Sequence, residues 1–266
     1  MYEYTDIEEG DEVTISYGMI YKWHPLAERQ SKLSETYFFE CRCWACLERR
    51  QPLVAAYRCN RCRGPILVSK TDPVLVCLNC RRKNTLDLVA ANKELETAGR
   101  LVSLGYHCLI KADDEDNINK LMVGTKLLQD GHTKLSNVLY KNNTQIAIVL
   151  DMMASANKKL DRYDEAVACA LKYYELTKSE FDEDVYLFNA LIKLLDCYEL
   201  MLNEEIKNSQ DDKDDETITI MKKLKREVSD CVVNCKTQLK RLVPSDSIEF
   251  HFYHKIFARV DTLCKN

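Results

Sequence analysis

The sequence predicts a mainly α-helical protein that also contains a short β segment and a small cysteine-rich region. Three observations lead to this prediction. Apolar residues recur at helical spacing from about residue 87 onward, seven of the 13 cysteines lie within residues 41–80, and β-branched residues alternate with polar ones near the start. At 266 residues and 46% hydrophobic content, the chain can build one large or two modest domains with a sizeable core.

Composition divides the chain into three predicted domains, residues 1–40, 41–90 and 91–266. In the first, residues 10–18 (GDEVTISYG) have the alternation of a strand, and residues 26–37 (LAERQSKLSETY) are typical of a short helix. The second is rich in Cys and Arg and poor in apolar periodicity, as expected where a metal replaces a core. We expect the third to be an antiparallel helical bundle.

Two apolar stripes at i, i+3, i+4, i+7 spacing support this bundle. They are formed by Ile146, Val149, Leu150 and Met153, and by Phe188, Leu191, Ile192 and Leu195. Residues 155–178 (SANKKLDRYDEAVACALKYYELTK) resemble one tetratricopeptide unit, two helices joined by a D-R-Y-D-E-A turn. Because only one such repeat is recognisable, we predict a tetratricopeptide-like bundle and no regular solenoid.

Charge is distributed unevenly along the chain. The formal net charge is -4, which argues against a nucleic-acid-binding chain as a whole. Residues 41–83, however, contain ten Lys and Arg and two acids, a formal +8, while the other residues contain 28 basic and 40 acidic side chains, a formal -12. The favoured explanation is that Arg and Lys offset the negative charge of a zinc ion bound by four thiolates. A basic patch that binds a partner is the alternative.

The strongest motif is a pair of cysteine knuckles in the second domain. Cys59-x2-Cys62 and Cys77-x2-Cys80 are separated by 14 residues, as in a zinc ribbon. Each knuckle lets two thiolates grip one ion from a single turn. A closed shell of four thiolates leaves no position for substrate, so we predict a structural zinc site.

A second cysteine group has only three members. Cys41, Cys43 and Cys46 form a C-x-C-x-x-C pattern, which fits either an open catalytic zinc or a closed site with a further ligand. His24 is a minority candidate for the fourth ligand, because a lone His beside Trp23 and Pro25 is more often an ordinary loop residue. We interpret His251 and His254 as surface or packing residues, and the remaining six cysteines as small hydrophobic side chains.

The segments DIEEGDEVTISYG and YFFECRCWAC together resemble the end of a SET domain running into its cysteine-rich post-SET segment. The spacing between them, the helical C-terminal part and the tetratricopeptide-like helices are similar to the SMYD group of SET and MYND domain lysine methyltransferases. The knuckle pair at 59–80 resembles the fourth-member-like branch. The resemblance implies that residues 1–40 are a C-terminal SET remnant and 41–90 the post-SET and ribbon region.

The resemblance also implies methyl transfer from S-adenosylmethionine to a protein lysine. Tyr17 matches the SET tyrosine that orients the lysine amine and is the implied catalytic residue. Phe39 matches the aromatic that packs on the adenine of the cofactor, and Tyr37 matches a residue lining the lysine channel. Without the surrounding motif, each would be interpreted as a packing aromatic.

In this family the fourth thiolate of the triad comes from an upstream Asn-His-Ser-Cys segment, which these 266 residues do not contain. They also contain no Gly-rich cofactor loop and no MYND finger. We therefore expect the C-terminal portion of an SMYD-like protein that is inactive as this chain alone. The alternative is a non-catalytic zinc-ribbon and tetratricopeptide-like interaction module.

Three further expectations concern the surroundings of the protein. Zinc is the predicted metal, and a protein substrate or partner is expected to bind the helical domain. The chain shows neither an export signal nor an apolar run near the roughly 20 residues that span a bilayer. These features predict no membrane association and a cytoplasmic or nuclear location.

Overall fold

The structure is a computed structural model of the 266-residue chain. It describes residues 9–10, 17–19, 21, 24–49, 53–68, 74–83, 85–115, 117–180, 185–208 and 215–265. Helices dominate this part of the chain, which confirms the predicted mainly α class. Most of the predicted strand at 10–18 lies outside the described residues.

Two helices begin where the sequence predicts them. The predicted helix at 26–37 is α1, and the long helical region begins at Leu88, directly after Asp87. The Asp87 Oδ1 accepts hydrogen bonds from the backbone N–H of Val89 at 3.0 Å and of Ala90 at 3.1 Å, so Asp87 caps that helix. The elements are α1 (Leu26–Tyr37), α2 (Trp44–Leu47), a 3-10 turn (Leu53–Ala55), β1 (Tyr57–Arg58), β2 (Pro65–Ile66), α3 (Leu88–Glu115), α4 (Ile118–Val138), α5 (Thr144–Lys159), α6 (Tyr163–Glu180), α7 (Val185–Asn208), α8 (Asp215–Leu242) and α9 (Ile248–Lys265).

The chain forms two compact units, and both contain discontinuous segments. The first comprises residues 1–103 and 130–147, and the second comprises residues 104–129 and 148–266. Helices α3, α4 and α5 therefore each contribute to both units.

A small ribbon is the centre of the first unit. Strands β1 and β2 pair antiparallel, with Tyr57 opposite Ile66, and an isolated bridge joins Ile66 to Cys77. Around them Cys59, Ile66, Leu75 and Cys77 form a buried cluster. The ribbon is tied to the segment after α4, since the backbone carbonyl of Ala56 accepts hydrogen bonds from the Tyr140 N–H at 3.0 Å and the Asn143 side chain at 3.2 Å.

The second unit is a helical bundle. Seven of the eight residues in the two stripes predicted from periodicity are buried, and Ile192 is partly exposed. All of them except Ile146, which belongs to the first unit, lie in this bundle. Helices α7 and α9 contact through the Phe188 and Tyr253 rings, whose centroids lie 5.0 Å apart. Arg259 also donates two hydrogen bonds to Glu199, at 2.7 and 2.8 Å.

Helices α5 and α6 are joined by a short turn at 160–162. Asp161 adopts a left-handed conformation with φ 55, and the Arg162 N–H donates to the carbonyl of Asn157 at 2.9 Å. Ala154, Ala166 and Ala170 are buried beside this turn. The helix pair thus lies where the sequence places it, while its tetratricopeptide-like character stays a prediction. Among the described residues, no helix is both long and apolar enough to cross a membrane.

Two glycines in α3 should respond to the same substitution in opposite directions. A Cβ at Gly105 would lie 3.0 Å from the carbonyl oxygen of Gly124, whereas a Cβ at Gly99 would meet nothing within 4 Å. We expect Gly99→Ala to stabilise the chain by about 0.5–1 kcal/mol, because alanine is the better helix former. Gly105→Ala should destabilise it by roughly 1–2 kcal/mol through overpacking.

Urea unfolding monitored by circular dichroism measures both changes. Equal stabilisation by the two substitutions would contradict the close approach of α3 and α4 at Gly105.

Candidate functional site

The four knuckle cysteines come together as the sequence predicts. The sulfur atoms of Cys59, Cys62, Cys77 and Cys80 all lie within 4.8 Å of one another. Cys62 and Cys77 are 3.4 Å apart, and Cys59 and Cys80 are 3.9 Å apart. A set of four thiols at this separation has the arrangement of a tetrahedral zinc site.

The backbone of each knuckle supports its thiols in a similar way. The N–H of the residue after the second cysteine donates to the carbonyl of the first, from Arg63 to Cys59 and from Arg81 to Cys77, both at 3.0 Å. Backbone N–H groups also point at sulfur: Gly64 donates to Cys62 at 3.4 Å. The two knuckles lie side by side, because a Cβ at Gly64 would come within 2.8 Å of the Asn79 side chain.

The thiols of this cluster differ in acidity in the metal-free chain. Burial raises the pKa of the Cys59 thiol, but contact with the Thr85 hydroxyl and hydrogen bonds from the backbone lower this pKa to about 6. Burial, together with hydrogen bonds to the Cys62 and Cys80 thiols, raises the pKa of Cys77 to about 11, although backbone hydrogen bonds act in the opposite direction. Metal binding must therefore displace protons, and the affinity of the cluster for zinc should rise with pH.

The triad also forms a cluster, with the Cys41, Cys43 and Cys46 sulfurs within 4.8 Å of one another. Cys46 is buried within α2, while Cys43 is exposed and lies at the N-cap of that helix. No further His, Cys, Asp or Glu within the described residues joins these three thiols. His24, the minority candidate, is instead 3.1 Å from Glu28 through its Nδ1.

Helix α1 holds the triad through two neighbouring side chains. Gln30 makes a double hydrogen bond to the backbone of Cys41: its Nε2 donates to the carbonyl at 2.8 Å, and its Oε1 accepts from the N–H at 3.0 Å. Arg29 is 1% exposed, and its Nη1 donates to the carbonyl of His24 at 3.0 Å. The Nη2 of Arg29 is 3.7 Å from the sulfur of Cys46.

Arg29 and Gln30 are site residues that sequence reasoning missed. No motif marks them, because they are 17 and 11 positions away from the cysteines they contact. A buried guanidinium needs an anion nearby, and a thiolate bound to a metal is a suitable one. Three thiolates on a dication carry a net charge of about -1, which a single Arg⁺ offsets.

The aromatic residues implied by the resemblance form one group in the first unit. The Tyr17 ring centroid lies 4.7 Å from that of Tyr37 and 5.3 Å from that of Phe39. Phe38, between the last two, is left-handed with φ 60 and ends α1, and Gly18 has φ 85. We call Tyr17, Tyr37 and Phe39 the aromatic group; whether it has the implied roles stays a prediction.

The two histidines of α9 and the cysteines outside the two clusters make no contact, within the described residues, that indicates a catalytic or metal-binding role. His251 Nδ1 contacts the carbonyl of Ser247 at 2.8 Å, and both His251 and His254 are exposed. Four of the remaining cysteines, all in α6 to α8, are buried: Cys169, Cys197, Cys231 and Cys235. Within the described residues they join no cluster of metal ligands.

Substituting one knuckle cysteine should remove one equivalent of zinc. We expect Cys62→Ser to lower the zinc content by about one per chain and to unfold the ribbon, because structural zinc supplies much of the folding free energy of such a region. The matched control is Cys108→Ser, since Cys108 joins no such cluster within the described residues. Elemental analysis and thermal unfolding report the two effects, and an unchanged zinc content in Cys62→Ser would contradict the assignment.

Replacing Arg29 with Met should weaken metal binding at the triad alone. We expect about a 10–100-fold loss of zinc affinity, the usual effect of removing a group that supports a ligand. Stepwise competition with a chromophoric chelator separates the triad from the knuckles. If both sites release zinc as in the unsubstituted chain, Arg29 does not support the triad.

Comparison with known proteins finds similarity over part of the chain. No protein-family model matches it. A protein-lysine N-methyltransferase SMYD4 from Mus musculus is 28% identical over 141 residues, which are 50% of this chain and 17% of the mouse protein. The Homo sapiens and Pongo abelii SMYD4 proteins are each 37% identical over 76 residues, or 27% of this chain and 9% of theirs.

The matched regions thus span less than a fifth of these SMYD4 proteins. The matches agree with the relation inferred from the SET-like and post-SET-like segments, down to the fourth-member-like branch. Over the matched regions, this chain is similar to curated SMYD4 proteins, which are protein-lysine N-methyltransferases.

Proposed function

We propose that this chain is the C-terminal part of an S-adenosylmethionine-dependent protein-lysine N-methyltransferase that binds zinc through its cysteine clusters. The observation that carries the proposal is the aromatic group, which lies directly beside the triad: Phe39 is two residues before Cys41. Three residues matched one by one from the resemblance thus meet in space, although Tyr17 is 20 residues before Tyr37.

The aromatic group suits the roles that the resemblance implies. The Tyr17 hydroxyl would orient a lysine amine, Tyr37 would line the channel for its aliphatic chain, and Phe39 would pack on adenine. S-adenosylmethionine supplies an electrophilic methyl group, so the protein contributes mainly by aligning the amine with it. Aromatic faces bind both flat heterocycles and cationic amines, which fits this combination of ligands.

The same residues are too open to form a complete site in this chain alone. Tyr17 is 46%, Tyr37 44% and Phe39 37% exposed. Alignment of two reactants requires a near-attack geometry held on several sides and screened from water. We therefore propose that these 266 residues do not methylate without further protein, which would supply the cofactor loop and the fourth triad ligand.

The two thiol clusters serve structure in this proposal. The knuckle cluster offers four thiolates and no open position, which suits a structural ion. The triad braces Phe39 through Cys41, which Gln30 holds against α1. Among the described residues, no further His, Asp or Glu joins either cluster as a general base for metal-assisted hydrolysis.

A second candidate is a non-catalytic interaction module formed by the ribbon and the helical bundle. It is favoured by the position of all candidate chemistry in the first unit, whereas the second unit is a helical bundle with no comparable cluster among its described residues. Helical bundles commonly bind partner proteins. A transcript that continues upstream in frame through Asn-His-Ser-Cys and a Gly-rich loop would favour the enzyme over this module.

Calorimetry with S-adenosylmethionine tests the incomplete site. We expect no saturable binding to the purified, zinc-loaded chain, because the exposed aromatic group provides one wall only. Phe39→Ala is the informative variant, and Phe38→Ala is its matched control, since the Phe38 side chain is 88% exposed. Saturable binding that Phe39→Ala abolishes and Phe38→Ala retains would show that this chain holds a working cofactor pocket.

A further inference from the structure

The tips of the two knuckles carry a cluster of cations that the proposed methyl transfer does not use. Its five members are exposed and are recorded in no ion pair or side-chain hydrogen bond within the described part of the chain. Because the knuckles lie side by side, these cations share one end of the ribbon. We call this surface the knuckle face, and it consists of Arg61, Arg63, Arg81, Arg82 and Lys83.

Two of these arginines hold strained backbone conformations. Arg63 and Arg81 occupy the same position in each knuckle, directly after the second cysteine, with φ 61 and φ 58. Glycine adopts this left-handed region without strain, whereas a residue with a Cβ does so at a cost of roughly 1 kcal/mol. The two knuckles thus place an Arg at the same left-handed position, where Gly would fit without that cost.

Offsetting the thiolate charge does not account for the knuckle face. Four thiolates on a dication leave a net charge of about -2, while the face carries five positive charges. Within the described residues, no guanidinium of the face contacts a knuckle sulfur. Backbone N–H groups, including those of Arg61 and Gly64, reach these sulfurs instead. In the triad, by contrast, the guanidinium of Arg29 does point at sulfur.

We propose that the knuckle face binds an acidic segment of a partner polypeptide, a function beyond the proposed methyl transfer. Four of the five cations are Arg, whose planar fork pairs with carboxylates through two hydrogen bonds. Leu78 lies in the second knuckle among these cations and is 38% exposed. An apolar side chain of the bound peptide can therefore pack against Leu78.

A peptide fits this surface better than a nucleic acid does. Tyr57 is the one aromatic residue within 57–83; it is half-buried and its hydroxyl donates to Asn92 at 3.1 Å, so residues 57–83 offer no series of aromatic rings for base stacking. The residues outside 41–83 carry a formal charge of -12, which would repel a polyanion extending beyond the ribbon. A short acidic peptide can lie on the ribbon alone and so avoids repulsion by the acidic residues outside 41–83.

Fluorescence anisotropy on the zinc-loaded chain tests the proposal with three labelled probes. The first is a 12-residue peptide of Asp, Glu and Leu, the second replaces each Asp and Glu with Asn and Gln, and the third is a 12-base-pair DNA duplex. The informative variant is Arg63→Gly with Arg81→Gly, because Gly fits both left-handed positions and preserves the fold. The matched control, Lys222→Gln with Arg226→Gln on α8, removes the same charge from exposed positions.

We expect the acidic peptide to bind, the amide peptide not to bind, and affinity to fall as salt rises. The Gly variant should bind the acidic peptide about tenfold more weakly, since each exposed ion pair contributes up to roughly fivefold. The control variant should bind as the unsubstituted chain does. Equal loss in both variants, tighter binding of the duplex, or no binding of the acidic peptide would each overturn the proposal.

Discussion

The first compact unit depends on how the four knuckle sulfur atoms, which lie within 4.8 Å of one another, are held together. As thiolates they repel one another, and as thiols they gain only weak contacts; a dication turns the same arrangement into a strong cross-link. Two of the four, Cys59 and Cys77, are fully buried and pack with Ile66 and Leu75 as the ribbon core. The ligands of the ion are thus also the hydrophobic core, so one substitution removes both.

The dependence extends beyond the ribbon through the backbone carbonyl of Ala56. Ala56, fully buried beside β1, accepts hydrogen bonds from Tyr140 and Asn143 in the segment after α4. An isolated bridge between Tyr57 and Leu139 continues this contact. Loss of the ion would leave these backbone and amide groups without their partners, which costs more than the hydrogen bonds contribute when formed. A metal bound by the four cysteines would therefore also support helical parts of the unit that carry no ligand.

A feature can be predicted from the sequence when the residues that form it are close together along the chain. The knuckle cluster and α1 are local: two C-x2-C spacings and one 12-residue pattern contain the necessary information. The support of the triad is not local. Arg29 and Gln30 look like ordinary polar positions of a short helix, and only the fold brings them to Cys46 and Cys41.

The aromatic group could be predicted only from the family resemblance. Periodicity predicts nothing for Tyr17 or Phe39, and the resemblance alone singles them out. The 3-10 turn and the short strands could not be predicted either, because elements of two or three residues carry too little pattern. Asn143 is 87 positions from Ala56, so its role in anchoring the ribbon is invisible before folding.

The triad and Phe39 of the aromatic group are adjacent along the chain and share helix α1 as a support. Gln30 fixes Cys41 to α1, and Phe39 lies between that cysteine and the left-handed Phe38 that ends the same helix. The position of the Phe39 ring beside Tyr17 is therefore set by two anchors, the helix end and the cysteine. An ion on the triad fixes the second anchor, whereas three unliganded thiols leave it to one side-chain amide. Because the methyl transfer proposed above would depend on alignment within fractions of an ångström, an ion at the triad would then tune the aromatic group without touching either reactant.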